Sequence, residues 1–226
     1  MNLVKRAAYW SCVYSIKAYQ RLFVNLHVWG RENIPSGPKI YASNHIAASD
    51  ALWVLPLLPE PVHIVIGPGY ASRVAARVYD WFEQINALPA HCKSVVPEAV
   101  TYIQKGEPVC IAPEGGDLQE PFRLGKFFPD VARIYRQCRV PIVPVAFVAP
   151  QRNIRRHPSL DTTVEGHVYH YLFVQSGIFC VNFGEPWLPE CPAESDARNT
   201  LYITRGLRER IAALVEDVRV NKFWLE

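Results

Sequence analysis

The sequence predicts an α/β domain, a sheet covered by helices, preceded by a helical segment that associates with membranes. Three observations predict it. From about residue 38 onward, short apolar runs of strand length alternate with longer stretches whose apolar residues recur at helical spacing. No internal repeat, low-complexity tract or linker breaks the alternation. Half of the 226 residues are hydrophobic and 20% are charged, enough for one sizeable core and too apolar for a disordered chain. The implied division is residues 1–28 for an amphipathic, interfacial segment and 29–226 for the domain.

In order, "PKIYASN" is a short strand that leads into a polar turn, and "DALWVLPLL" is a helix. "VHIVIG" is a strand. "ASRVAARVYDWFEQI" is a helix with Val74, Val78 and Phe82 at helical spacing. "KSVVPEAVTYIQKG" is a helix that Gly106 can close, and "PVCIAP" is a buried strand. "GKFFPDVARIYRQC" (helix) and "VPIVPVAFV" (buried strand) follow. Residues 150–166, polar and rich in turn formers, predict a mobile surface loop. Beyond it "YHYLFVQSG" and "IFCVNFGEPW" are strands. The tail "LYITRGLRERIAALVEDVRV" puts Leu207, Ile211, Leu214, Val215 and Val218 on one helical face.

The first 30 residues mix Trp, Tyr, Leu and Val with Lys5, Arg6, Lys17 and Arg21. The longest uncharged run, Ala7 to Ile16, is about half of the roughly 20 residues that cross a bilayer. One helix, or two short ones, lying in the headgroup layer fits this composition, and so does a helix packed on the domain's own core. The net charge of +3 is too small to argue for nucleic acid, and no nucleic-acid motif is present. Six scattered cysteines without a C-x-x-C favour a reducing, cytosolic setting over disulfides or zinc. His167 and His170 lack the partners a metal site needs, so no metal is expected.

Two polar clusters interrupt the apolar pattern. In "NHIAASD", His45 and Asp50 sit where a hydrophobic run turns a corner. Asp50 or Ser49 could simply cap the next helix. Alternatively, the carboxylate orients the imidazole as a general base. In "CIAPEGGDLQEPFRLGKFF" a buried strand runs straight into Pro113-Glu114-Gly115-Gly116, where an α/β fold brings backbone amides and a polar side chain up to a ligand. A tight turn with Glu114 on the surface is the plainer reading.

Together and in order, these clusters resemble one family, the glycerolipid acyltransferases of the 1-acylglycerol-3-phosphate acyltransferase type. "NHIAASD" is similar to that family's N-H-x4-D block, "APEGG" to its F-P-E-G block, "FRLG" to its F-K-x-G continuation and "VPIVPV" to its V-P-I-V-P-V strand. The approach "VWGRENIPSGPKIYASNH" and the closing "VNFGEPW" extend the resemblance over about residues 26–190. It implies transfer of a fatty acyl group from acyl-CoA or acyl-carrier protein to a hydroxyl of a lysophospholipid or glycerolipid. No cofactor beyond the thioester co-substrate is implied, and no covalent acyl-enzyme. His45 would be the base and Asp50 its orienting partner. Asn44, Glu114, Gly115, Gly116 and Arg123 would bind substrate. The implied partners are the lipid acceptor, the thioester donor (an acyl carrier protein among them) and the membrane surface. The implied place is the cytoplasmic side of the membrane, peripheral or monotopic.

Two family features are missing. Asp117 stands where a basic residue commonly follows the glutamate motif, and "INALPAHC" holds His91 and no arginine where the family has one. Both positions are associated with the acceptor's phosphate. Either Arg123, Lys126 or Arg139 supplies that cation, or the acceptor carries no exposed phosphomonoester. A catalytically silent lipid-binding member, or a hydrolase using the same His with water, are the other classes open. The absence of a G-x-S-x-G elbow disfavours the hydrolase.

Overall fold

The computed structural model describes residues 1–116, 118, 120–191 and 195–222. Asp117, one of the two departures from the family pattern, lies outside them. Helix α1 (Leu3–Phe23) comes first, capped by the Asn2 side chain, which accepts from the Lys5 N–H. It ends five residues short of the helical segment expected to reach residue 28. Val24–Trp29 is instead strand β1, in line with its β-branched and aromatic content. Strands β2 (Ile40–Ser43), β3 (His63–Ile66), β4 (Ile85–Asn86), β5 (Val109–Ile111) and β6 (Ile142–Val148) follow. Between them lie helices α2 (Asp50–Val54), α3 (Arg73–Trp81), α4 (Val95–Gln104) and α5 (Asp130–Cys138). Four further strands, β7 (Ile154–Arg156), β8 (Thr162–Val164), β9 (His167–Tyr169) and β10 (Leu172–Val174), precede β11 (Gly177–Phe183) and helix α6 (Asp196–Asp217).

The main sheet has seven strands in the order β1-β11-β6-β2-β5-β3-β4. The five strands from β6 to β4 are parallel, and β11 with β1 runs antiparallel to them. Every residue of β2, β5 and β6 is buried, as expected of strands covered on both faces. On one face Ile40, Ala42, Ile111 and Ala146 meet α4, α5 and α6. On the other Tyr41, Val145, Phe147 and Phe183 meet α2 and the Ile16 side of α1. In α6, Leu207, Ile211, Val215 and, just beyond, Val218 are buried, the face expected from their spacing.

Two segments differ from expectation. Residues 150–166 are not a loop alone: β7 pairs antiparallel with β10, and the hairpin β8–β9 is nested between them in the insertion joining β6 to β11. Pairing satisfies backbone groups that polar composition alone suggested would face water. In α3, Val74 and Val78 point outward, 75% and 48% exposed, and none of the helix's residues is buried.

Candidate active site

Parallel strands β2 and β5 end side by side, and both polar clusters leave from that edge. Ser43 closes β2, residues 44–49 turn, and Asp50 opens α2. Asn44 is buried and clamps the turn to β6. Its Nδ2 donates to the Phe147 carbonyl at 2.9 Å, and the Phe147 N–H donates to its Oδ1 at 2.7 Å. Both hydrogen-bonding ends of its amide are thereby used on the backbone.

His45 and Asp50 touch, with Nδ1 3.1 Å from Oδ2. The same Oδ2 accepts the N–H groups of Ile46 and Ala47 at 2.8 and 3.0 Å. An oxygen already accepting from two amides requires the imidazole to supply the hydrogen at Nδ1, which leaves the Nε2 lone pair free. The carboxylate is 3% exposed and the imidazole 25%. Asp50 is thus a turn-stabilising acceptor and the imidazole's partner at once. Its other oxygen, Oδ1, is buried without a hydrogen-bond partner. Ser49 does not cap α2 with its side chain. Its Oγ accepts instead from the Val174 N–H at 3.0 Å.

Glu114 follows β5 and is buried. Its Oε2 accepts the His45 N–H at 2.8 Å and its Oε1 the Gly125 N–H at 2.5 Å. Burial pushes this carboxyl above the ordinary range, while the two backbone amides, His45 and Arg208 pull it back. Glu114 therefore buttresses the histidine's backbone. Gly115 has φ +79°, and a Cβ there would also lie 3.1 Å from the Phe128 ring. At Gly116 a Cβ would come within 3.0 Å of Tyr169 and 3.3 Å of Pro68. Three elements therefore meet at this turn: the glutamate motif, the residues after β3, and the insertion.

Arg123 does not join them. It is 76% exposed at the side chain and pairs with Glu120 at 3.0 Å. Lys126 is exposed. Arg139 caps the C-terminus of α5, just before β6 begins and so at the opposite edge of the sheet, donating to Cys191 Sγ at 3.0 Å. The block "INALPAHC" does reach the edge from which the His45 and Glu114 turns leave, through β4 and the turn Pro89–His91. Among the described residues no group of three His, Cys, Asp or Glu is placed to hold a metal.

Sequence reasoning missed two supports. Arg208 of α6 donates to the carbonyls of Leu124 and Gly125, both at 3.1 Å, holding the segment whose amide Glu114 grips. Nothing in the periodicity of an amphipathic helix marks this arginine off from its other charged residues. The insertion grips the His45–Asp50 turn: the Ala48 N–H donates to Leu172 O at 2.8 Å and Trp53 Nε1 to Val174 O at 2.8 Å. A strand was expected within "YHYLFVQSG", and β10 is found there, but nothing in the sequence pointed to its contact with this turn.

A turn carrying a His–Asp pair at the edge of a parallel sheet, facing a buttressed Pro-Glu-Gly-Gly turn, is an arrangement for moving a proton. The chain belongs to the Acyltransferase family, whose model matches residues 25–148, more than half of its length. It is an acyltransferase. Among solved structures, the 1-acyl-sn-glycerophosphate (LPA) acyltransferase PlsC from Thermotoga maritima is similar with a TM-score of 0.70. The two share 18% identity, over 98% of this chain and 83% of that one, a likeness of fold. No curated protein matches the chain by sequence.

Proposed function

We propose that the protein transfers a fatty acyl group from an acyl thioester to a hydroxyl of a lysophospholipid or glycerolipid acceptor, with His45 as general base. The observation that carries this reading is the His45–Asp50 contact, which leaves Nε2 as the free basic nitrogen beside a partly exposed turn. An alcohol attacks a thioester poorly unless its proton leaves as the bond forms. In the reading, Nε2 takes that proton while the alcohol oxygen adds to the thioester carbonyl. Asp50 stabilises the imidazolium that results. The tetrahedral adduct collapses to the ester, the carbon–sulfur bond breaks, and the departing thiolate takes the proton back from Nε2. Asn44 and Glu114 hold the turn, and Gly115 and Gly116 let the backbone approach the acceptor. The donor is acyl-CoA or acyl-carrier protein, and no resident cofactor takes part.

The acceptor in this reading lacks an exposed phosphomonoester. Such a group carries about −1.5 to −2 charges at neutral pH. A carboxylate about 4 Å away would oppose each unit by roughly 4 kcal/mol at an effective dielectric near 20. Asp117 occupies the usual basic position, Arg123 is paired with Glu120 and Arg139 lies at the opposite edge of the sheet, which leaves only the exposed Lys126 of the three candidate cations.

The enzyme works as a peripheral protein on the cytoplasmic side of the membrane. Supporting this, α1 buries Tyr9, Val13 and Gln20 against the body while Leu3, Val4, Tyr14, Leu22 and Phe23 face out beside Arg6 and Arg21. No helix among the described residues is long and apolar enough to cross a membrane. The six cysteines are all free, which suits a reducing compartment.

Assays pairing several lysolipids with acyl-CoA and acyl-carrier protein test the proposal. Acceptor-dependent release of free thiol, abolished in His45→Ala, is expected. Release without any acceptor would indicate a hydrolase, and no release would indicate a silent lipid-binding member. Efficient and specific acylation of lysophosphatidic acid would remove the acceptor assignment.

A further inference from the structure

Helix α3 has apolar residues on two sides, and its fold accounts for one of them. Toward the body, Tyr79 packs on Tyr70 at 5.1 Å between ring centroids, and Phe82, just past the helix, on Tyr9 of α1 at 6.2 Å. Ala75 and Ala76 lie half-buried on this inner side. Away from the body, Val74, Val78 and Trp81 recur at i, i+4 and i+7, so they share one stripe, 75%, 48% and 42% exposed. Arg73 and Arg77 border that stripe, both exposed and making no ion pair among the described residues. The helix's carboxylate, Asp80, lies by the Tyr70 hydroxyl. An apolar stripe with arginines along one border suits an interfacial helix.

Its position adds to the argument. The helix begins just after Pro68, which lies against Gly116 of the glutamate motif. Its far end meets α1 through the Phe82–Tyr9 rings and the Lys5–Glu83 ion pair at 2.7 Å. The N-terminal half of α1 and the far end of α3 are therefore neighbours at that corner. Phe128, beside Gly115, is exposed as well.

We propose that α3 is a second lipid-contact face. Val74, Val78 and Trp81 enter the acyl boundary of an anionic bilayer while Arg73 and Arg77 meet lipid phosphates. The turn where Pro68 meets Gly116 is thereby brought toward the leaflet that supplies the acceptor. This rests on the membrane-surface reading of α1. It also assigns the arginines to bulk lipid rather than to the reacting acceptor.

Co-sedimentation of the full chain with vesicles tests it, comparing pure phosphatidylcholine with phosphatidylcholine containing phosphatidylglycerol. Three variants are compared with wild type: Val74→Gln/Val78→Gln/Trp81→Gln, Arg73→Gln/Arg77→Gln, and an α1 control, Leu3→Gln/Leu22→Gln/Phe23→Gln. The apolar triple variant is expected to bind both vesicle types about tenfold or more weakly. The arginine variant should lose about fivefold per arginine on anionic vesicles only. Activity toward a monomerically dispersed lysolipid should stay at the wild-type value, with the melting temperature of the triple variant lowered only by the loss of the Trp81–Phe82 edge contact at 4.8 Å, while activity on vesicle-borne acceptor falls. If the α1 control releases the protein and the α3 triple variant sediments like wild type, the proposal is overturned and the α1 reading stands. If wild type binds neither vesicle, both fail together. If the triple variant instead turns a wild-type dimer into a monomer with vesicle binding unchanged, the face joins two copies of the chain and the proposal is likewise overturned.

Discussion

Replacing Glu114 with Gln separates a buttress from a substrate-binding group. The carboxylate accepts two backbone amides, from His45 at 2.8 Å and Gly125 at 2.5 Å. A carboxamide offers one accepting oxygen and one donating nitrogen, so it can serve one amide and must face the other donor to donor. One charge-assisted bond is lost and a shielded N–H is left without an acceptor, at a cost of about 1–3 kcal/mol. For a chain of this size, a loss of that order lowers the melting temperature by about 2–12 °C. The freed amide is that of His45 or of the segment facing it, so the imidazole shifts relative to the thioester. Misplacement by about 1 Å can cost a factor near 10² in rate. The assay is a thermal melt together with steady-state kinetics on one lysolipid over a range of concentrations. A lowered melting temperature with a kcat reduced about 10²-fold and a nearly constant KM is expected. A variant that melts like wild type and raises only KM would refute the argument, because Glu114 would then be holding the acceptor.

Other perturbations follow from the same geometry. His45→Ala should lose about 10²- to 10⁴-fold in kcat, with an unchanged circular dichroism spectrum, because the imidazole is already partly in water. Asn44→Ala leaves the buried Phe147 N–H and C=O without partners. It should cost about 2–6 kcal/mol in denaturant titration, well beyond any change in KM measured below the transition. Acid should loosen the insertion: Arg156 and then His170 hold the Asp161 carboxyl down at about 2. A lowered carboxyl pKa gives stability that is present above the ordinary value near 3.9 and lost as pH falls toward 2. Limited proteolysis within residues 150–176 should therefore accelerate between pH 4 and pH 2, and a flat rate across that window would count against the pairing.

How much of this was legible in the sequence depended on range. The His–Asp contact spans five residues, so a quoted heptapeptide could suggest it and a single turn could build it. The buried face of α6 was equally legible, because its period belongs to the helix itself. Helix α3 shows the limit: spacing put Val74, Val78 and Phe82 on one stripe, but Val74 and Val78 face outward while Phe82, at i+8, turns inward onto Tyr9. The body had already taken the other side of that helix, through Tyr79 and Phe82.

By itself, then, the sequence determined the alternation of strands and helices, the order of the polar clusters and the short spacing that lets His45 and Asp50 meet. Tertiary structure decided what holds that pair in place. Glu114 reaches His45 from 69 residues away and Asn44 reaches Phe147 from 103. The insertion grips the turn through Val174, 125 residues from Ser49. Periodicity and turn chemistry are properties of neighbours along the chain. Which distant backbone amide meets which side chain follows from strand order and register, and those are settled only when both faces of the sheet are buried together.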